Sequence, residues 1–165
     1  MSEIVTLVDE QDNEIGSKKR SKLNDNDRWR IISVWVLNQS DELLIAKRSM
    51  NNRMDPGKWG PSVVGTVEHG DIYKETAVRE LQEELGVNLK LEESQLIMHK
   101  AHIGYRANMC YIAHTQKRLT EFILQAEEVD EIAWINLNKL YEELKRTPEK
   151  YMEAMEEITK KVFEA

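Results

Sequence analysis

The chain of 165 residues is 41% hydrophobic and 32% charged, values of a folded globular protein rather than a disordered one. Its formal charge of −7 excludes a protein that lives on nucleic-acid polymers or anionic lipid, but leaves open a phosphate-bearing small molecule neutralised by a divalent cation. A single cysteine, no membrane-length apolar run and a start (MSEIVTLVDEQDN) without a basic-then-apolar leader together imply one cytoplasmic domain, residues 1–165, in a reducing compartment.

In chain order, IVTLVDE (4–10) reads as a strand followed by a turn at QDNE. RWRIISVWVLN (28–38) is rich in β-branched and aromatic residues, and NQSDE turns it into ELLIAKRS (42–49), an expected hairpin partner. MNNRMDPGKWGP (50–61) is a loop, and SVVGTVEHG (62–70) begins as a strand that Gly65 and Gly70 break. Asp71 is the expected N-cap of a helix reaching Leu85, with Gly86 as its left-handed stop. Further strands are expected at 96–105, 108–115 and 131–137. The C-terminal region, 138–165, reads as two helices, the second started by Pro148. A mixed sheet flanked by helices follows, an α/β or α+β domain.

The helix at VRELQEELG carries the chemistry. Glu80, Glu83 and Glu84 share one face at helical spacing, while Ala77, Leu81 and Leu85 form an adjoining apolar stripe. Two other helical stretches, YEELKR and MEEITKK, follow their glutamates with lysines that neutralise them. VRELQEELG has no basic residue after its acids until Lys90, so the three carboxylates repel one another without structural return. A hard divalent cation, Mg²⁺ or Mn²⁺, gives such oxygens a reason to gather. The glycine-broken loop GTVEHGD delivers the chain into the helix and lets backbone approach a ligand.

Gly65, five residues, Asp71, seven residues, then Arg79-Glu80-Leu81-Gln82-Glu83-Glu84-Leu85-Gly86-Val87 closely resembles the Nudix box. One position departs: Asp71 stands where that family usually has Glu. The resemblance extends over residues 28–145, through LLIAKRS, PGKWGPSVVG and EEVDEIAWINLNKL. Residues 1–27 look like the lead-in of the subgroup related to isopentenyl-diphosphate isomerase. It implies an αβα sandwich with a mixed sheet, the box (65–87) forming loop, helix and loop. It also implies metal-dependent hydrolysis of a diphosphate linked to some moiety X.

Under that resemblance Glu80, Glu83 and Glu84 hold Mg²⁺ or Mn²⁺, with a backbone carbonyl near Val64 or Gly65 contributing. Arg79 orients the glutamates by a charge-assisted pair, and Asp71, one methylene short, reaches metal only through water. Glu80, Glu83 and Arg79 are the expected catalytic set, with Gly65, Glu68 and Arg48 expected at substrate. The general base is open between Glu83 and an acid of QAEEVDE, Glu127 or Glu128. His69, His99, His102 and His114 show no metal spacing, and Trp29, Trp35 and Trp59 are expected in the core. Lys47, Arg48 and Arg53 either meet phosphate or form a basic hairpin edge. The partner is a small-molecule diphosphate; many relatives dimerise, and a homodimer stays open.

Two rivals compete. In the similar isomerases a catalytic cysteine precedes the glycine and a histidine follows it; here those positions are Val64 and Thr66, and Cys110 lies far downstream. A non-catalytic sensing domain would be expected to lose the acids, which this chain keeps.

Overall fold

The computed structural model describes residues 3–164. Its spine is strand β3, Arg28–Leu37, whose residues are nearly all buried. Successive side chains point to opposite faces of a strand, and both faces of this one are covered. Ile32, Val34 and Val36 pack against helix α1 (Tyr73–Leu85) through Ala77, Leu81 and Leu85. Trp35 and Leu37 face α2 (Leu137–Arg146) and α3 (Met155–Phe163) through Leu140, Leu144, Met155, Ile158 and Val162. Helices on each side of a mixed sheet make the αβα arrangement that the sequence implied.

The edges of β3 are occupied on both sides. It runs parallel to β8 (Tyr105–His114) over its whole length and antiparallel to β6 (Val63–Thr66). β7 (Glu92–Lys100) lies antiparallel on the far side of β8. For that reason the expected hairpin between β3 and β4 (Glu42–Arg48) closes only at its tip, with Leu37 opposite Leu43. Beyond the tip, β4 swings away to pair with β9 (Val129–Asn136) and the two-residue β5 (Trp59–Gly60). This divergence opens the sheet between the end of β4 and β6.

β1 (Ile4–Val8) and β2 (Glu14–Lys19) form an N-terminal hairpin at the outer edge. The second strand was not expected, because EIGSKK is polar and largely exposed and carries no apolar alternation. In its turn the Asp9 carboxylate accepts the amides of Gln11 and Asn13, both at 2.9 Å, and Asp12 takes a left-handed φ of 64°.

Three other expectations need correction. α1 begins at Tyr73 with Ile72 as its N-cap and no side-chain cap bond, so Asp71 is not the cap. Pro148 starts only a single 3₁₀ turn; Ala154, at φ 62°, interrupts the chain, and α3 begins at Met155. Between them Tyr151 bridges to Trp59, and Met152 donates its amide to the Trp59 carbonyl at 2.8 Å, extending the β5 edge. The strand expected at 96–105 instead spans Glu92–Lys100 and ends in a turn where Gly104 has φ 64°. Gly86 does stop α1 in the left-handed conformation, at φ 67°. Among the described residues no helix is long and apolar enough to cross a membrane.

Candidate active site

Leu81 and Leu85, fully buried against β3, fix the rotation of α1 about its axis. The same helix then presents Glu80 and Glu84, one turn apart, toward the gap between β6 and β4. Glu80 lies directly over Gly65: a Cβ at that position would sit 2.7 Å from Glu80 Cγ. Glycine is thus demanded at 65 by the carboxylate above it.

Glu84 is only 8% exposed. Burial, then the neighbouring Glu80 and Glu128 carboxylates, hold it well above the usual carboxylate range, with Arg48 opposing. Burial raises Glu80 to about 7, assisted by Glu83 and Glu128 and opposed by Arg79. Glu83 is exposed on the outer flank. Glu128 enters because the loop 123–128 folds onto the end of α1. The amide of Ile123 donates to the Leu85 carbonyl and that of Gln125 to the Glu84 carbonyl, both at 3.0 Å. Glu127, one residue earlier, is exposed.

Arg48 stands between Glu84, Asp55 and Glu128, all of which act on its charge. Its Nε donates to the Met54 carbonyl at 2.8 Å and its Nη2 to Asn52 Oδ1 at 3.2 Å, so it also ties down the loop that follows β4. Arg79 pairs with Asp71 at 3.2 Å and exerts attraction on Glu80 and Glu83. The residue expected to cap the helix is therefore the partner that aims Arg79.

The other sequence candidates are not all brought together. Glu68 is exposed, bridging back to Val5. His69 shares a 2.8 Å hydrogen bond with Thr6 Oγ1. His99 lies on β7, His102 in the turn beyond it, and His114 at the exposed end of β8. Trp29 and Trp35 are buried, with Arg106 stacked 3.7 Å from the Trp29 ring centroid. Lys47 is half-buried and Arg53 exposed.

Among the described residues no three acidic, histidine or cysteine side chains already form a ligand shell. The donor set nevertheless fits a hard divalent ion: oxygen-only, partly desolvated, and composed of like charges that raise one another's pKa. The fit is one of chemistry and placement rather than of finished coordination geometry. Glu80 and Glu84 would hold the ion, with Glu83 and Glu128 at its rim.

Residues 27–158 match the family model of the NUDIX domain. The chain belongs to the Nudix family. An uncharacterised Nudix hydrolase from Nostoc sp. is 34% identical over 108 residues, which spans 64% of each chain. Isopentenyl-diphosphate Delta-isomerase 2 from Photorhabdus laumondii is 31% identical over 157 residues, or 92% of this chain and 87% of its own. A crystal structure from Deinococcus radiodurans superposes with a TM-score of 0.83 at 21% identity, covering 98% of this chain and 99% of that one, a likeness of fold. The Nudix match and the hydrolase relatives place the chain among hydrolases acting on pyrophosphate bonds. The Nudix match begins after the β1–β2 hairpin, whose contacts with the box the sequence did not disclose.

Proposed function

We propose that this Nudix domain hydrolyses the diphosphate linkage of a small molecule of the nucleoside diphosphate-X type, using Mg²⁺ or Mn²⁺. The observation that carries the reading is Glu80 lying over Gly65, with Glu80 and Glu84 both raised by desolvation and then by neighbouring carboxylates, Glu128 among them. A bound divalent ion supplies neutralisation of the phosphate oxygens and acidifies water. Glu80 and Glu84 hold charge opposite that ion, and Glu83 adds a ligand from the exposed flank. Arg79, aimed by Asp71, keeps Glu80 and Glu83 in place. Arg48 compensates Glu84 and holds the loop beside the substrate phosphates. Gly65 leaves its backbone open to the ligand, and Glu68 stands at the mouth of the same loop. Glu128, opposite the helix, is positioned to take a proton from water.

A second reading, allylic isomerisation of an isoprenoid diphosphate, is favoured by the span of the Photorhabdus relative. The chain's own residues weigh against it. Val64 and Thr66 offer no acid or base, and the Cys110 thiol is fully buried on the α2–α3 side of the sheet and pushed by burial up to about 11. Loss of the box acids, which would favour a purely sensing domain, has not occurred. The single cysteine, Cys110, is free and buried, consistent with a reducing, cytoplasmic setting.

The test is a panel of nucleoside diphosphates and triphosphates, nucleotide sugars and isopentenyl diphosphate, incubated with Mg²⁺ and resolved by product. Hydrolysis releases phosphate or a monophosphate from at least one member. Conversion of isopentenyl diphosphate into its isomer with the diphosphate intact would install the second reading. No turnover of any member with either metal would sink both.

A further inference from the structure

The N-terminal hairpin lies outside the matched Nudix segment, yet its contacts converge on the box. The two principal core clusters contain no residue of β1 or β2. Val5 enters the small core group with Trp29 and Ile31, and Val8, on the same strand, is also buried. The hairpin's polar contacts reach Asp27 through Lys18 and Arg30 through Asp12, and several others gather on the loop 67–73 and the first residue of α1. Val5 bridges to Glu68, and the His69 amide donates to the Ile4 carbonyl at 2.8 Å. Thr6 Oγ1 shares its hydrogen bond with His69 Nδ1.

At the hairpin turn Asp12 makes the strongest link. Its carboxylate accepts Arg30 Nε at 2.8 Å and the Tyr73 hydroxyl at 3.0 Å, while its carbonyl accepts Arg30 Nη2 at 2.8 Å. The Arg30 guanidinium lies 5.5 Å from the Tyr73 ring centroid. Arg30 also accepts the Val67 amide on its own carbonyl at 3.0 Å, so one residue binds the hairpin with its side chain and the box loop with its backbone. α1 has no side-chain N-cap; its first residue is anchored from outside the helix, by Asp12.

We infer that the β1–β2 hairpin is a clamp on the active site, with Asp12, Arg30, Tyr73 and Thr6 acting as positioning residues that set the box loop and the start of α1. The register of Glu80 over Gly65 depends on both of those elements: Glu80 lies about two helical turns beyond Tyr73, and Gly65 sits near the end of β6, shortly before Val67. This inference rests on reading the carboxylates as a metal site, because their ion is what a shifted loop would lose. Outer residues of this kind alter metal affinity by about tenfold or more when removed.

The probe is Mn²⁺ itself, titrated against the full chain by electron paramagnetic resonance, with amide exchange of residues 67–73 followed in parallel. Asp12→Asn, Tyr73→Phe and Thr6→Val should each weaken Mn²⁺ binding, the first two by about tenfold, and speed exchange in 67–73. Thr6→Ser, which keeps the hydroxyl, should behave as the parent does. Equal Mn²⁺ affinity and equal exchange in all four variants, even with a lowered melting temperature, would overturn the clamp. If Asp12→Asn fails to fold, Tyr73→Phe decides alone, since it removes one oxygen from a half-buried ring. If the parent binds no Mn²⁺, the carboxylate reading falls instead, and the exchange of 67–73 still judges the clamp.

Discussion

Glu80 crosses Gly65 so closely that no side chain fits between them; a Cβ would stand 2.7 Å from Glu80 Cγ and 3.0 Å from its Cδ. Gly65→Ala therefore has two outcomes open to it: Glu80 swings away, or β6 separates from α1. Either displaces a ligand. We expect metal affinity to fall by about tenfold, with a stability loss of about 1–3 kcal/mol from overpacking. Calorimetric Mg²⁺ titration beside a thermal melt measures both; an unchanged affinity would show that Glu80 is not a ligand.

The acids give the metal-free protein a pH dependence whose sign is fixed by their raised pKa values. In the unfolded chain a glutamate loses its proton near about 4.3. In the folded chain burial keeps Glu80 protonated up to about 7 and Glu84 beyond the usual range. The folded state thus binds more protons in that interval, and its stability falls as pH rises from about 4.3 through 7. With chelator present, the melting temperature should decline from pH 5 to pH 8. Mg²⁺ should raise it strongly at pH 8 and weakly at pH 5, because cation and proton compete for the same oxygens. A melting temperature that rises over this range in chelator would contradict the assignment.

Adjacent acids in QAEEVDE should separate sharply. Glu128 is brought to Glu80 and Glu84 by the loop docked on α1, whereas Glu127 points to solvent. Glu128→Gln should lower kcat by about 10²–10⁴-fold, the ordinary range for a general base, while Glu127→Gln should match the parent. Steady-state rates on the best panel substrate decide it, and equal rates for both variants would return the base to Glu83.

Leu81 tests the scaffold rather than the chemistry. It is 1% exposed and packs α1 onto β3. Leu81→Ala should cost about 2–5 kcal/mol, read from chemical denaturation. A cost below 1 kcal/mol would mean that the stripe does not set the rotation of the helix.

The box was legible because its demands are local. Gly65 to Gly86 spans the end of one strand, one loop and one helix, so the shared facing of Glu80 and Glu84 on α1 follows from helical spacing alone. Leu81 and Leu85 announced the buried face by periodicity alone. What escaped was set by partners distant in sequence. Nothing near Arg28–Leu37 reveals that β6 and β8 take both its edges and push β4 away. EIGSKK is a strand because β1 pairs with it, not because its pattern is apolar. Asp71 reads as a cap by type and position, yet Arg79, two helical turns later, competes for its carboxylate and wins. Pro148 marks a helix start by the usual rule, but Tyr151 and Met152 are drawn into pairing with Trp59 before a helix can propagate.

The most direct measurement compares Mg²⁺-dependent diphosphate hydrolysis by the parent chain, Glu84→Gln, and the exposed first-turn control Glu75→Gln. Product release by the parent and by Glu75→Gln should stop when Mg²⁺ is chelated, and Glu84→Gln should lose about 10²-fold or more without a drop in melting temperature. Equal hydrolysis by Glu84→Gln and the parent, or turnover that persists in chelator, would contradict the metal-site reading.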